Sequence, residues 1–205
     1  MKSKFLYNTF RFVRTVSLTG VILVWIISLL SSAHAYNLTG SIGRFDPDDG
    51  IVRDLFEASP VFSLRLGVPY RPSFDWTVTG TILQLKSKLL DLESYVDLLS
   101  VRMGFVKRFP DNELETGLIE PLIGAGISLL HISEVLENEG DQSKTLQSPD
   151  LTGGVYWEIG LLFPFKWMTE SWLEAKLTDQ SIEKNILANI HLSGKIVSVG
   201  FRKAF

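Results

Sequence analysis

The sequence predicts an all-β fold, an eight-stranded antiparallel up-and-down transmembrane β-barrel, and three observations carry that prediction. Eight stretches alternate apolar and polar residues with a period of two, the pattern of strands with one apolar face. Long and short connections alternate between them. The closing stretch, His191 to Phe205 (HLSGKIVSVGFRKAF), keeps its alternation to the last residue: Phe205, Phe201, Val199 and Val197 share one face, and Arg202, Gly200, Ser198 and Gly194 the other.

The N-terminus reads separately. Lys2, Lys4, Arg11 and Arg14 form a basic head, Val16 to Leu30 an apolar run, and Ala33-His34-Ala35 a small-residue cleavage site, the three parts of a secretory signal peptide. The apolar run falls short of the roughly 20 residues a spanning helix needs. Cleavage after Ala35 is therefore expected, leaving residues 36–205 as one barrel domain. The full chain carries 20 basic and 23 acidic side chains; the leader removes four basic and no acidic ones, so the mature part has a formal charge of −7. That balance gives no reason to expect nucleic acid as a partner. With no cysteine in the chain, an exported fold must hold together without disulfides, through ladder hydrogen bonds and an apolar face.

In chain order, the first strand runs from Tyr36 to about Phe45, with Tyr36, Leu38, Gly40 and Ile42 opposed to Asn37, Thr39, Ser41 and Gly43. The second covers Val61 to Tyr70, with Phe62, Leu64, Leu66 and Val68 facing away from Ser63, Arg65 and Gly67. The third runs from Phe74 to about Leu85 and sets Trp76, Val78 and Ile82 against Asp75, Thr77, Thr79 and Thr81. The fourth, Tyr95 to Phe109, opposes Leu99, Val101, Met103 and Phe105 to Ser100, Arg102 and Gly104. Leu118 to His131 gives a fifth, Gly153 to Phe163 a sixth, Ser171 to Thr178 a short seventh, and His191 to Phe205 the eighth. Eight is the smallest even strand count of a closed outer-membrane barrel. Arg71-Pro72-Ser73, 110–117 and 164–170 are short connections, whereas 46–60, 132–152 and 179–190 are longer, as a barrel with tight turns at one end and loops at the other requires. Residues 52–58 are expected to form a short helical turn within the first long loop.

Alternation alone leaves open which face meets what, and a soluble periplasmic lipocalin-like barrel, with its apolar face inward, competes. Two features favour lipid outside. Arg65, Arg102, Glu120, Glu158, Glu174, Lys176 and Arg202 lie among Gly, Ser and Thr on the polar face, where opposite charges can pair across a narrow lumen. Aromatics including Tyr70, Phe74, Trp76, Phe105, Phe109, Phe163, Phe165, Trp167, Phe201 and Phe205 crowd the short-turn end, as a membrane-interface girdle does.

The opening YNLTGSIGRFDPDDG, the strands SPVFSLRLGVPY and EPLIGAGISLLHIS, the hairpin start GGVYWEIGLLFPF and the terminal SVGFRKAF together resemble the small OmpA/OmpX-type outer-membrane β-barrel family over the whole mature part. The resemblance implies an outer-membrane location, membrane lipid and lipopolysaccharide as neighbours, a monomer, and no enzyme or cofactor. It also implies that Gly200, Phe201 and Phe205 form the signal read by the barrel assembly machinery, with Lys203 departing from the usual apolar residue of that signal.

Two candidate sites follow. The lumen charges either pair and plug the barrel or line a water path. Eight strands leave an interior wide enough only for side chains, which favours the plug, while Gly124, Gly126, Gly160 and Gly200 leave room for water and keep a narrow conductance open. The mature histidines, His131 and His191, each stand two before a serine, Ser133 and Ser193, with parity that places both pairs on the outer face near the loops. Lipid A deacylases of the outer membrane resemble this barrel and use His, Ser and an acid on the lipid-facing wall, so His191, Ser193 and Glu183 form an alternative hydrolase reading. That family carries its motif on the seventh strand, where this sequence reads AKLTDQS. Interfacial polar residues are the plainer reading of both pairs. Asp46-Pro47-Asp48-Asp49-Gly50 lacks the ligand spacing of a calcium loop and reads as an acidic turn.

Overall fold

A computed structural model of the chain describes residues 36–55, 59–86, 94–109, 119–136, 145–146, 150–165, 168, 170–182, 185–186, 190–191 and 193–205. The expected signal peptide, with Ala33 and Ala35, lies outside them, as do Trp167, Glu183, residues 110–118 and most of 137–149.

Eight long strands form the wall: β1 Asn37–Pro47, β2 Pro60–Arg71, β3 Phe74–Lys86, β4 Ser94–Arg108, β5 Glu120–Leu136, β6 Asp150–Pro164, β7 Ser171–Ile182 and β8 Gly194–Ala204. Each pairs antiparallel with its successor, and β8 returns to β1 through the register Asn37↔Ala204 to Pro47↔Gly194, so the sheet closes. Closure gives ladder partners to backbone groups that would otherwise line an edge. Tyr36 and Phe205 seal the seam: their amides and carbonyls exchange hydrogen bonds of 3.3 and 2.9 Å, and their rings stack with centroids 5.1 Å apart. A short helix, α1 (Gly50–Leu55), stands in the β1–β2 connection, close to the helical turn expected there.

The strands extend further toward the loops than alternation suggests. β5 continues to Leu136 rather than ending at His131, β6 begins at Asp150 rather than Gly153, and β7 runs to Ile182 rather than Thr178. Cross-strand partners explain this: Ile132–Leu136 pairs with Ser94–Leu98, and Thr178–Ile182 with Gly154–Glu158, so these backbones complete ladders rather than turn. β8, in contrast, starts at Gly194. Ile190 and His191 pair with Ile186 and Asn185 in a separate two-residue ladder.

Burial fixes which face is which. Ile42, Phe62, Ile127, Trp157 and Val199 are exposed, whereas Thr39, Arg65, Arg102, Glu158 and Arg202 are buried. This overturns the lipocalin-like alternative, in which the apolar side would line a cavity. On β5 the five outward residues from Pro121 to Leu129 are all apolar, and the eight residue steps between them, at about 3.4 Å each and a tilt of about 40°, rise about 21 Å. A hydrocarbon-facing band of an outer-membrane barrel is roughly 25 Å tall. His131 ends that band on β5; Gln84 and Asp97, hydrogen-bonded at 2.7 Å, end it on β3 and β4. At the opposite end Phe165 meets Phe201 edge-on and Phe74 tilts against Phe105, part of the expected aromatic girdle.

Glycine lets the barrel narrow around one large side chain. Tyr156, inward on β6, stands in register with Gly126 of β5, which faces Gly104 of β4, which faces Thr77 of β3. The tyrosine lies over this glycine row and its hydroxyl hydrogen-bonds with Thr77. A Cβ on Gly104 would stand 2.6 Å from the Tyr156 hydroxyl oxygen and closer still to the Ala125 carbonyl. Gly104→Val is therefore expected to destabilise the detergent-folded barrel by about 1–3 kcal/mol through overpacking. Gly40→Ala, whose Cβ would meet nothing within 4 Å, should leave the urea midpoint nearly unchanged; equal midpoints for the two variants would contradict the tight glycine row.

Candidate functional site

The lumen is filled in tiers, each set by which residue types the inward positions carry at one height. Toward the turn end, Val106, Leu122 and Leu162 pack together with the partly buried Trp172. Near this end Asp75 accepts from Arg202 Nη2 at 2.7 Å and from Asn37 Nδ2 at 3.3 Å, while Arg108 Nη2 stands 3.4 Å from its other oxygen. The Arg202 guanidinium also lies 5.8 Å from the Trp172 ring centre.

Above this lies a four-residue ion-pair cluster drawn from three strands. Arg65 of β2 reaches across to β6 and β7, with Nη1 3.1 Å from Glu158 Oε1 and Nη2 hydrogen-bonded to Glu174 Oε2. Lys176 completes the ring, its Nζ 3.1 Å from Glu158 Oε2 and 3.5 Å from Glu174 Oε1. All four are at most 6% exposed. Each carboxylate thus meets two cations and each cation two carboxylates, the arrangement needed to offset the desolvation of buried charge.

A belt of hydroxyls and one amide follows. Ser63 and Thr81 share a hydrogen bond of 3.0 Å, and Gln180 Nε2 donates to Ser128 Oγ at 3.2 Å. The loop end is closed by an apolar cluster of Phe45, Val61, Leu83, Leu85, Leu98, Leu130, Ile132 and Ile196, all inward and buried. Two of the four glycine positions expected to leave water space, Gly124 and Gly160, lie against lumen side chains. A Cβ on Gly124 would meet Glu158 Cγ at 2.8 Å, and one on Gly160 would meet Leu122 at 3.3 Å.

Of the seven lumen charges expected from sequence, Arg65, Glu158, Glu174 and Lys176 come together. Arg202 lies lower and pairs with Asp75. Glu120 is not in the cluster: it sits at the turn-end rim, 26% exposed at its side chain, with Arg108 Nη1 4.0 Å away. Its position as the first residue of β5 leaves it near the mouth. Arg102 donates from Nη2 to Thr81 Oγ1 at 3.1 Å and lies 5.4 Å from the Tyr156 ring centre, without an ion pair among the described residues. Asp75 and Arg108 were not among the expected partners. The alternation places Asp75 inward opposite Trp76 and Val78, so its parity was the available signal.

The two histidine pairs lie on different elements. His131 is on the outer face of β5, in register with Leu99 and Leu151, and the side chain of Ser133 is not among those described. His191 is off the barrel wall in the small ladder with Asn185, and the Ser193 carbonyl accepts the Asp48 amide at 3.0 Å. This corrects the expected continuous strand from His191 to Phe205. β6 and β7 lie between β5 and β8 around the wall. In the acidic turn, Asp46 pairs with Arg53 at 3.4 Å and Asp48 with Lys195 at 3.1 Å.

The cluster and the rim should respond differently to loss of a carboxylate. Glu158→Ala leaves Arg65 and Lys176 each short of a partner and is expected to cost about 3–5 kcal/mol, whereas Glu120→Ala at the half-wet rim should cost about 1 kcal/mol or less. Urea midpoints of the detergent-folded variants check this; equal losses would contradict a cluster centred on Glu158.

No family model matches the chain and no curated protein matches it. Among solved structures, the outer membrane protein OprG from Pseudomonas aeruginosa matches with a TM-score of 0.63 at 15% identity, over 84% of this chain and 96% of that one. Neisserial surface protein A matches with a TM-score of 0.54 at 18% identity, over 83% of this chain and 97% of that one. A major outer membrane protein from Thermus thermophilus matches at 0.53 with 9% identity, over 84% of this chain and all of that one. At these identities the likeness is one of fold, and the fold is the small closed barrel of outer-membrane proteins.

Proposed function

We propose that the mature chain is an integral outer-membrane β-barrel of a Gram-negative-type bacterium, with a structural or surface-interaction role and no catalytic task. The observation that carries this reading is the inversion of polarity, an apolar exterior band around a closed ladder whose interior holds paired charge. In hydrocarbon every backbone group must be satisfied within the protein, and a closed barrel does that with strands. Leu, Val, Ile, Phe and Trp side chains then contact lipid tails, and the girdle of aromatics sits at the turn-end interface.

In this reading residues 1–35 direct export and are removed after Ala35. Gly200, Phe201 and Phe205 present the assembly signal. The turn end, which also carries both ends of the barrel domain, faces the periplasm, and the loops face outward beside lipopolysaccharide. The protein works as a monomer, since closure leaves no strand edge to pair. The stacked lumen tiers make it a plug rather than a pore. The His131 and His191 pairs have no part in this function.

Separation of inner and outer membranes followed by gel electrophoresis with and without boiling tests the reading. A heat-modifiable band in the outer fraction is the expected result, with planar-bilayer conductance at the leak level. A soluble periplasmic protein without a gel shift would refute the location, and steady ion-conducting steps would refute the plug.

A further inference from the structure

The buried lumen charges do not balance. Among the described residues Arg65, Arg102, Lys176 and Arg202 stand against Asp75, Glu158 and Glu174, four cations to three carboxylates, each of the seven at most 6% exposed. At the rim Arg108 and Glu120 add one charge of each sign. Ion pairs within 4 Å account for every buried charge but Arg102.

Arg102 is 2% exposed, and its Nε and Nη1 have no hydrogen-bond partner among the described residues. A guanidinium does not shed its proton in a protein, so it cannot relieve the excess by becoming neutral. Its environment matches that of an anion-binding group. The Tyr156 ring lies against one face of it. Its Nη2 bond to Thr81 brings it into the hydroxyl belt, where Ser100, in register with Thr81 on the same inward row, has an Oγ that is also buried without a partner. Beyond the belt the apolar cluster separates it from the loops.

The geometry points to a buried site for one small monovalent anion of the halide class, held by an unpaired N–H of Arg102 with the Ser100 hydroxyl as a further donor. A bound halide supplies the missing negative charge, accepts from one unpaired donor of Arg102 and requires no carboxylate. Halide binding stabilises the barrel as any ligand specific to the folded state does.

The test is the thermal midpoint of the full mature barrel folded in detergent, read by loss of the heat-modifiable band, in sodium chloride and in sodium gluconate at matched ionic strength. Chloride is expected to raise the midpoint saturably, by roughly 3–5 °C at a tenfold excess over its dissociation constant, while gluconate, a bulky hydrated carboxylate, does not. Arg102→Met should abolish the chloride-specific rise, and Ser100→Ala, which keeps the charge, should move its half-saturation to higher chloride. Crystals soaked in bromide should show anomalous density beside Arg102. Equal midpoints in chloride and gluconate for the unaltered protein would overturn the site, as would a chloride rise retained in Arg102→Met or bromide density only on the outer surface. If Arg102→Met does not fold, the Ser100→Ala shift and the bromide position decide. The presence of the heat-modifiable band itself reports on the barrel, so failure of the halide site is distinguishable from failure of the membrane reading.

Discussion

Everything in this molecule depends on the pairing of its first and last strands. A strand crossing hydrocarbon offers a row of N–H and C=O groups that lipid cannot satisfy, so an open sheet is excluded there and a closed one is required. The β1–β8 register runs the full length of both strands, and the Tyr36–Phe205 stack clasps its turn-end margin. Closure then determines the rest. It sends alternate side chains to opposite environments, and it confines the inward ones to a space that holds little more than themselves.

That confinement is why the interior is tiered. A buried carboxylate is tolerable beside cations, and the closed wall brings Glu158 and Glu174 to the same height as Arg65 and Lys176 although β2 is far from β6 and β7 in sequence. Pairing across the lumen ties opposite walls together, as Tyr156 does between β6 and β3 over its glycine row. The apolar tiers at the two ends remove water from the charges between them, which strengthens each pair and raises the cost of breaking it. Rigidity and impermeability thus come from the same side chains.

Much of this was legible in the sequence because a period of two is read directly from residue types. The strand number and the division of each strand into two faces follow from alternation; the inward placement of Arg65, Glu158, Glu174 and Lys176 follows once the pairing of opposite charges and the aromatic girdle put the apolar face in lipid. What alternation missed are the places where both faces are alike. Leu83 and Leu85 are inward on β3, Leu98 on β4, and Leu130 and Ile132 on β5, yet apolar neighbours such as Leu99 and Leu129 hide the parity there. The loop-end cluster therefore had no signature, and a wholly polar interior was the natural expectation. Strand ends were missed for a related reason: Thr178 to Ile182 reads as a polar loop, and only pairing with β6 makes it a strand. The partner choices of Asp75 and Glu120 depend on barrel stagger, which sets height between distant strands and leaves no local trace.

Closure can be examined by covalent trapping, since the chain contains no cysteine and any introduced pair is unambiguous. Ile42 and Val199 face each other in register on the outer side of β1 and β8. The double variant Ile42→Cys with Val199→Cys, oxidised in the membrane, is predicted to cross-link its first and last strands and to resist opening on boiling until reduced. The control pair Ile42→Cys with Val197→Cys, two residues out of register, should cross-link far less. Equal trapping of the two pairs, or trapping of neither, would contradict the closed barrel from which the remaining structure follows.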